Sequence, residues 1–323
     1  MPDESYCQRP CQQEEICIAL WNTRGHRHLF SEIPMNLEDV DILCLQETWL
    51  LHLPVADGFE IAFNTAIKGA KGRPMSGLLT LVKLESGIRI LSAKNVSAYI
   101  QVVEIKLPTQ QPRNTDQLTL INVYWQHTAM QTEIFLDLVT ETISNIKDNG
   151  TESKILICGD LNINCLKDDT KSDHANEKEF RDPTISEWLQ EMKAWNLKIL
   201  NGETPGDIPA HFTWKRDQQQ STIYYMFVSE RMKQDVARLD IIEMEASDHC
   251  MLKTTLKIHR IKENISYQCT NLTVAPGRNR LKLTQNKLEK LKKSLENRSP
   301  TGNIEYASLL ETYREKQTVK PRH

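Results

Sequence analysis

The chain has 323 residues, of which 39% are apolar and 26% charged, with a formal net charge of −3. That balance is ordinary for a soluble globular protein, and the length suffices to bury a core without covalent staples. It excludes a partner chosen by bulk charge, and the start MPDESYCQRP lacks the basic and then apolar stretch of a secretory leader.

Residues 1–15 are polar and read as a disordered N-terminus. Strand-like runs follow: ICIALWN (16–22), VDILCLQ (40–46), GFEIAFN (58–64), SGLLTLVK (76–83), SAYIQVVEIKL (97–107), LTLINVY (118–124), KILICGD (154–160), TIYYMFVS (222–229) and HCMLKTTLKI (249–258). Short apolar and β-branched runs bounded by polar residues have strand character. Two helices are expected between them. Thr132 caps EIFLDLVTETISNIK, whose apolar residues recur at helical spacing and which ends at Asn149-Gly150. Residues 184–200 repeat the pattern, with Trp188, Leu189, Met192, Trp195 and Leu197 on one side. Successive strands with occasional helices predict a mixed α/β sandwich rather than alternating β-α-β units. No stretch approaches the ~20 apolar residues of a membrane helix. The expectation is an intracellular protein, nuclear or cytoplasmic, neither secreted nor membrane-bound.

The main domain is expected over 16–259, with a linker and basic helical tail over 260–323. That tail holds 14 Lys or Arg against 6 Asp or Glu, so +8 sits on a body of −11. LKLTQNKLEKLKKSLENR (281–298) has the pattern of a basic amphipathic helix. A nucleic-acid contact and a solvated extension both fit it. The eight cysteines read as free thiols, with Cys17, Cys44 and Cys158 inside apolar runs, where a thiol acts as a small hydrophobe. Cys7 and Cys11 have no second pair at zinc-site spacing.

Several runs end in, or sit beside, polar groups. The first ends in Asn22, the second in Gln46-Glu47, and KILICGD in Asp160 followed by Asn162; Ser247-Asp248-His249 precedes the last. Taken singly, an Asp after a strand is an ordinary turn or cap residue. Together, Glu47, Asp160 and Asp248 with Asn22 and Asn162 form a set of hard oxygen donors suited to Mg²⁺ or Mn²⁺, ions held by few carboxylates plus water and phosphate. His249 adds an imidazole for acid–base work near neutral pH. The Lys68–Arg73 loop (KGAKGR) offers Lys68, Lys71 and Arg73 to a phosphate backbone, or is simply solvated; it lacks the Gly-Lys-Ser/Thr ending of a P-loop.

LQETW, GDLN and SDH, in this order, resemble the motifs of the endonuclease/exonuclease/phosphatase (DNase I-like) superfamily. WNTRG (21–25), VDILCLQETWL (40–50), the Arg-Pro-x-Ser-Gly-Leu run at 73–78, LINVY (120–124), ILICGDLN (155–162), HFTWKR (211–216), STIYYMFVSERM (221–232) and SDH (247–249) resemble most the endonuclease domains of non-LTR (LINE-like) retrotransposons. The resemblance covers about residues 16–258. It implies a four-layer α/β sandwich: two packed mixed β-sheets flanked by helices, with the site at one rim. It also implies Glu47 as the main metal ligand with Asn22 assisting, Asp160 and Asn162 aligning water, Tyr124 donating to phosphate, Asp248 on the metal side and His249 at the scissile phosphate. DNA is the implied substrate, with RNA an alternative.

One position departs from the family. Its Ser-x-Ile-Asp-Tyr motif stands here as Ser221-Thr222-Ile223-Tyr224-Tyr225, with Tyr224 where an aspartate pairs with the site histidine. A neutral phenol cannot balance an imidazolium, so reduced activity is expected. The chain also lacks a Tyr-x-Asp-Asp polymerase signature, so it reads as a partial element product. Three readings follow: a metal-dependent DNA-nicking endonuclease, another phosphoesterase of the superfamily, and a folded remnant that cuts nothing.

Overall fold

An apolar run saves its backbone hydrogen bonds only by pairing with others, and the expected runs do so in two sheets. The computed structural model describes residues 13–25, 37, 39–69, 72–108, 117–147, 154–166, 183–244 and 247–259. Lys71, Cys7, Cys11, Cys269 and the whole tail past His259 lie outside the described residues.

The first sheet has six strands in the order β15 (Val236–Ile242), β16 (Met251–His259), β1 (Gln13–Asn22), β2 (Ile42–Gln46), β6 (Leu78–Lys83) and β3 (Phe59–Asn64). The second runs β11 (Leu197–Ile199), β14 (Tyr224–Ser229), β10 (Lys154–Asp160), β9 (Gln117–Tyr124), β8 (Ile100–Lys106) and β7 (Arg89–Ser97). Two short hairpins stand apart, β4 (Ile67–Lys68) with β5 (Pro74–Met75), and β12 (Trp214–Arg216) with β13 (Gln219–Ser221). This is the expected pair of packed mixed sheets flanked by helices. Among the described helices, none is long and apolar enough to cross a membrane.

Alternation decides which side chains meet. Ile16, Ile18 and Leu20 of β1, with Ile42 and Cys44 of β2, face Leu118 and Leu120 of β9, Leu156 and Cys158 of β10, and Met226 and Val228 of β14. All are fully buried, and each apolar side chain so buried contributes roughly 1.5–3 kcal/mol. Helices α1 (Thr132–Lys147) and α2 (Pro183–Ala194) cover the outer face of the second sheet, where Phe135, Val139, Trp188 and Met192 pack on Ile121, Ile157 and Phe227.

Each sheet is antiparallel except for a single parallel pair. In the first, β1 runs parallel to β2, with Asn22 opposite Gln46. In the second, β9 runs parallel to β10, with Tyr124 opposite Asp160. Parallel neighbours end at the same edge, so four strand termini arrive together. The antiparallel neighbours β14 and β16 begin at that edge, with Tyr224 opposite Asp160 and His249 just ahead of Met251. A buried polar seam joins the sheets behind it. Gln46 Nε2 donates to Asn122 Oδ1 at 2.6 Å, Asn122 Nδ2 to the carbonyls of Leu45 and Leu79 at 3.3 and 3.4 Å, and Thr80 Oγ1 to Gln101 Oε1 at 2.8 Å.

The helix expected over 184–200 is shorter. Proline occupies the first helical position at Pro183, where its missing N–H costs nothing. Asn196 adopts φ 54° and stops the helix, so Leu197 begins a strand. The edge strands β7 and β15 were absent from the expected set.

Candidate active site

The geometry is built on Asn22, the last residue of β1. Its side chain is fully buried, and its Nδ2 donates both to Glu47 Oε1 at 2.8 Å and to Asp160 Oδ2 at 2.9 Å. One amide from the first sheet thus ties a carboxylate of each sheet. Glu47 follows β2 with φ 48°, and Asn162 follows β10 with φ 50°. Left-handed backbone at non-glycine residues carries strain and recurs at working sites. At Glu47 the surroundings hold it: Thr23 Oγ1 and Gly25 N–H donate to the Glu47 carbonyl at 3.1 and 2.7 Å. At Asn162, the N–H donates to Asp160 Oδ1 at 2.9 Å and Nδ2 to the Trp125 carbonyl at 2.7 Å.

The charges are unevenly solvated. Asp160 is fully buried, and burial pushes its carboxyl well above the usual range; the Glu47 charge adds to this, while the Asn22 hydrogen bond opposes it. Tyr124 is held strongly neutral by burial, then by the charges of Glu47 and Asp160 and its hydrogen bond to Glu47.

His249 lies across the cleft. Residues 248–249 are pinned by β12, through a Lys215 N–H bond to the Asp248 carbonyl at 2.9 Å and a bridge between Trp214 and His249. The imidazole is 7% exposed. It stacks on the Tyr224 ring, centroids 5.4 Å apart and planes 21° off parallel. Among the described residues, neither His249 Nδ1 nor the buried Tyr224 Oη has a hydrogen-bond partner. Burial, and then the Arg24 charge, lower the His249 pKa to about 3, so the ring is neutral at pH 7.

These groups surround a cleft of about 400 Å³, onto which Glu47, Tyr124, Asn162, Asp248 and His249 open. Asn22 and Asp160 sit buried against its wall. The cleft therefore gathers the strand-end residues read from the sequence. Asp248 is placed differently from Glu47 and Asp160: both its oxygens accept Arg24 Nη1 at 2.7 Å. Among the described residues no three His, Cys, Asp or Glu side chains form a metal-holding group. Lys68 and Arg73 are exposed, are not among the residues lining the cleft, and Arg73 stacks on the Trp49 ring at 4.1 Å; Lys71 lies outside the described residues. Arg24, Trp214 and Arg216, which lie in the WNTRG and HFTWKR stretches but were assigned no site role, also line the cleft, as does Gln126. For Arg24 a signal existed, a charged residue in a tight turn after a buried strand.

The chain is similar to known proteins in sequence and in fold. The sequence model of the Endonuclease/Exonuclease/phosphatase family matches residues 19–249. An exodeoxyribonuclease of Bacillus subtilis (strain 168) is 24% identical over 258 residues, 75% of this chain and 99% of the relative. The crystal structure of AP endonuclease LMAP from Leishmania major superposes with a TM-score of 0.60 at 18% identity, over 75% of this chain and 88% of that one. The endonuclease domain of TRAS1, a telomere-specific non-LTR retrotransposon, superposes with a TM-score of 0.54 at 16% identity, over 76% of this chain and all of that domain.

Proposed function

The chain belongs to the Endonuclease/Exonuclease/phosphatase family, and on that premise we propose that it is a divalent-metal-dependent phosphodiesterase that nicks DNA in the manner of a retrotransposon endonuclease domain. The observation that carries the reading is the Asn22 amide holding Glu47 and Asp160 at one sheet edge. The motif resemblance to non-LTR elements and the similarity to an exodeoxyribonuclease and two endonucleases support DNA as substrate.

The residues fit a Mg²⁺ or Mn²⁺ ion. Two opposed hard-oxygen carboxylates face each other across an amide, and Mg²⁺ needs only one or two such ligands besides water and phosphate. Glu47 would hold the ion, with Asn22 and Asp160 behind it. When bound, the ion supplies charge neutralisation at a phosphate oxygen. The chain's own groups do the rest. Asn162, which opens on the cleft and whose backbone N–H donates to the buried Asp160, would orient the attacking water; Tyr124, held as a neutral phenol, would donate a hydrogen bond to developing charge. His249 meets the phosphate as a neutral ring, because burial and then the Arg24 charge lower its pKa to about 3, and Tyr224 adds no negative charge against it. That last feature favours a second reading, a folded protein in which cleavage is nearly silent.

The test is conversion of supercoiled plasmid to open circle in Mg²⁺ and Mn²⁺, beside an EDTA control and Glu47→Gln. Metal-dependent nicking that disappears in Glu47→Gln supports the proposal. Hydrolysis of small phosphoesters without nicking would move the substrate to the family's other branches. Silence on both substrates would leave the second reading.

A further inference from the structure

One positive charge in the cleft was given no role by the strand-end pattern, although it lies within the WNTRG stretch. Arg24 sits in the turn after β1 with φ 46°. Its backbone N–H donates to Asn22 Oδ1 at 3.0 Å, and the next residue, Gly25, donates to the Glu47 carbonyl at 2.7 Å. The backbone is therefore fastened to the two residues on which the site is built.

The far end is fastened as well. Nη1 donates to both oxygens of Asp248 at 2.7 Å, yet the Arg24 side chain stays 47% exposed. It lines the cleft with Glu47, Asn162 and His249. A guanidinium has five N–H donors and is charged at every accessible pH. Asp248 engages one nitrogen, so the others remain for a ligand. A planar fork of this kind matches phosphate oxygens. Of the other candidate cations lining the cleft, Arg216 is an exposed residue of the β12 hairpin, and His249 is buried, stacked on a neutral phenol and, among the described residues, without an acceptor at Nδ1. A carboxylate already bound through both oxygens is, in turn, poorly placed to ligate an ion.

We infer that Arg24 is the phosphate-gripping cation of this cleft, and that Asp248 is its anchor rather than a metal ligand. This rests on the phosphodiester substrate proposed above. Asp248 is then a positioning residue, and Arg24 a substrate-binding one.

The experiment measures binding apart from cleavage. Anisotropy of a labelled DNA duplex is followed in EDTA across a salt series, for the natural chain, Arg24→Ala, Arg24→Gln and Arg24→Lys. Circular dichroism checks folding, and Arg24→Gln keeps a hydrogen bond to Asp248 should Arg24→Ala fail to fold. In Arg24→Ala and Arg24→Gln, affinity falls about tenfold and the salt slope drops by about one; Arg24→Lys keeps the slope. Calorimetric titration of Mn²⁺ completes it: Asp248→Asn keeps the natural affinity while Glu47→Gln loses it. Natural affinity and slope in Arg24→Gln would overturn the inference, as would loss of Mn²⁺ binding in Asp248→Asn. Plasmid nicking by the natural chain, alongside an unaffected Arg24→Gln, removes Arg24 alone. Failure of the natural chain to bind DNA removes both Arg24 and the nuclease reading.

Discussion

Replacing Tyr224 by aspartate puts a carboxylate where a phenol now stacks on His249. The phenol is fully buried, its Oη lacks a partner among the described residues, and the ring centroids are 5.4 Å apart. An opposite charge at that range raises a histidine pKa by roughly 1–3 units, here from about 3 into the weakly acidic range. At 1.36 kcal/mol per unit, the imidazolium gains about 1.4–4 kcal/mol. If that charge develops in the transition state, cleavage rises by about tenfold to a thousandfold. Stability moves the other way. Deleting most of a buried aromatic costs about 3–5 kcal/mol, partly offset by the new pair, so the melting temperature drops by roughly 10 °C. Plasmid nicking, thermal unfolding and the His249 ring shifts by NMR measure the three quantities. Tyr224→Asn is the control, with the same cavity and no charge. If Tyr224→Asp is folded and its ring pKa raised, yet it nicks no faster than Tyr224→Asn, the reasoning is refuted.

Other outcomes are expected together. The natural chain's His249 ring stays untitrated between pH 8 and pH 5, because its folded pKa of about 3 lies below the unfolded value near 6.5. The stability it contributes is full above pH 6.5 and is lost as pH falls toward 3; Asp160, raised by burial, acts with the opposite sign, so ring NMR is the cleaner readout. Gly159→Val destabilises by about 2 kcal/mol or more, since even a Cβ there meets the Val123 carbonyl oxygen at 2.0 Å; urea unfolding with an unchanged midpoint would contradict the packing described. Asn122→Leu strips Gln46 of its 2.6 Å partner and costs about 1–3 kcal/mol, measured the same way. Asn22→Ala abolishes nicking and lowers Mn²⁺ affinity, because Glu47 and Asp160 lose the amide that holds them.

Much of the sandwich was legible because its central strands are buried on both faces, which leaves unbroken apolar runs such as ILCLQ of β2, buried at every position. The edge strands were not. In β7 only Ile90 is buried, and RILSAKNVS carries no clean alternation. In β15, Arg238 and Asp240 interrupt the pattern, and they pair with each other. The strand β11 was hidden inside a helical reading, because Trp195 and Leu197 continue the helical spacing; the turn at Asn196 was the signal. At the site, strand ends named Asn22, Glu47, Asp160 and Asn162 because a strand's terminus is local information. The Arg24–Asp248 pair joins residues 224 positions apart, and nothing local in either segment encodes it. Tyr224 was legible as a missing charge but not as a ring lying flat on the imidazole.

The seam of Gln46, Asn122, Thr80 and Gln101 works as a set of dowels between two plates. Sliding one sheet over the other by a residue would break every joint at once and leave buried amides empty-handed, so the alignment is all or nothing. None of these four residues lines the cleft. The alignment of the plates is thus stored away from the residues that would do chemistry. A substitution among the residues around the cleft therefore leaves the frame that aligns the two sheets in place.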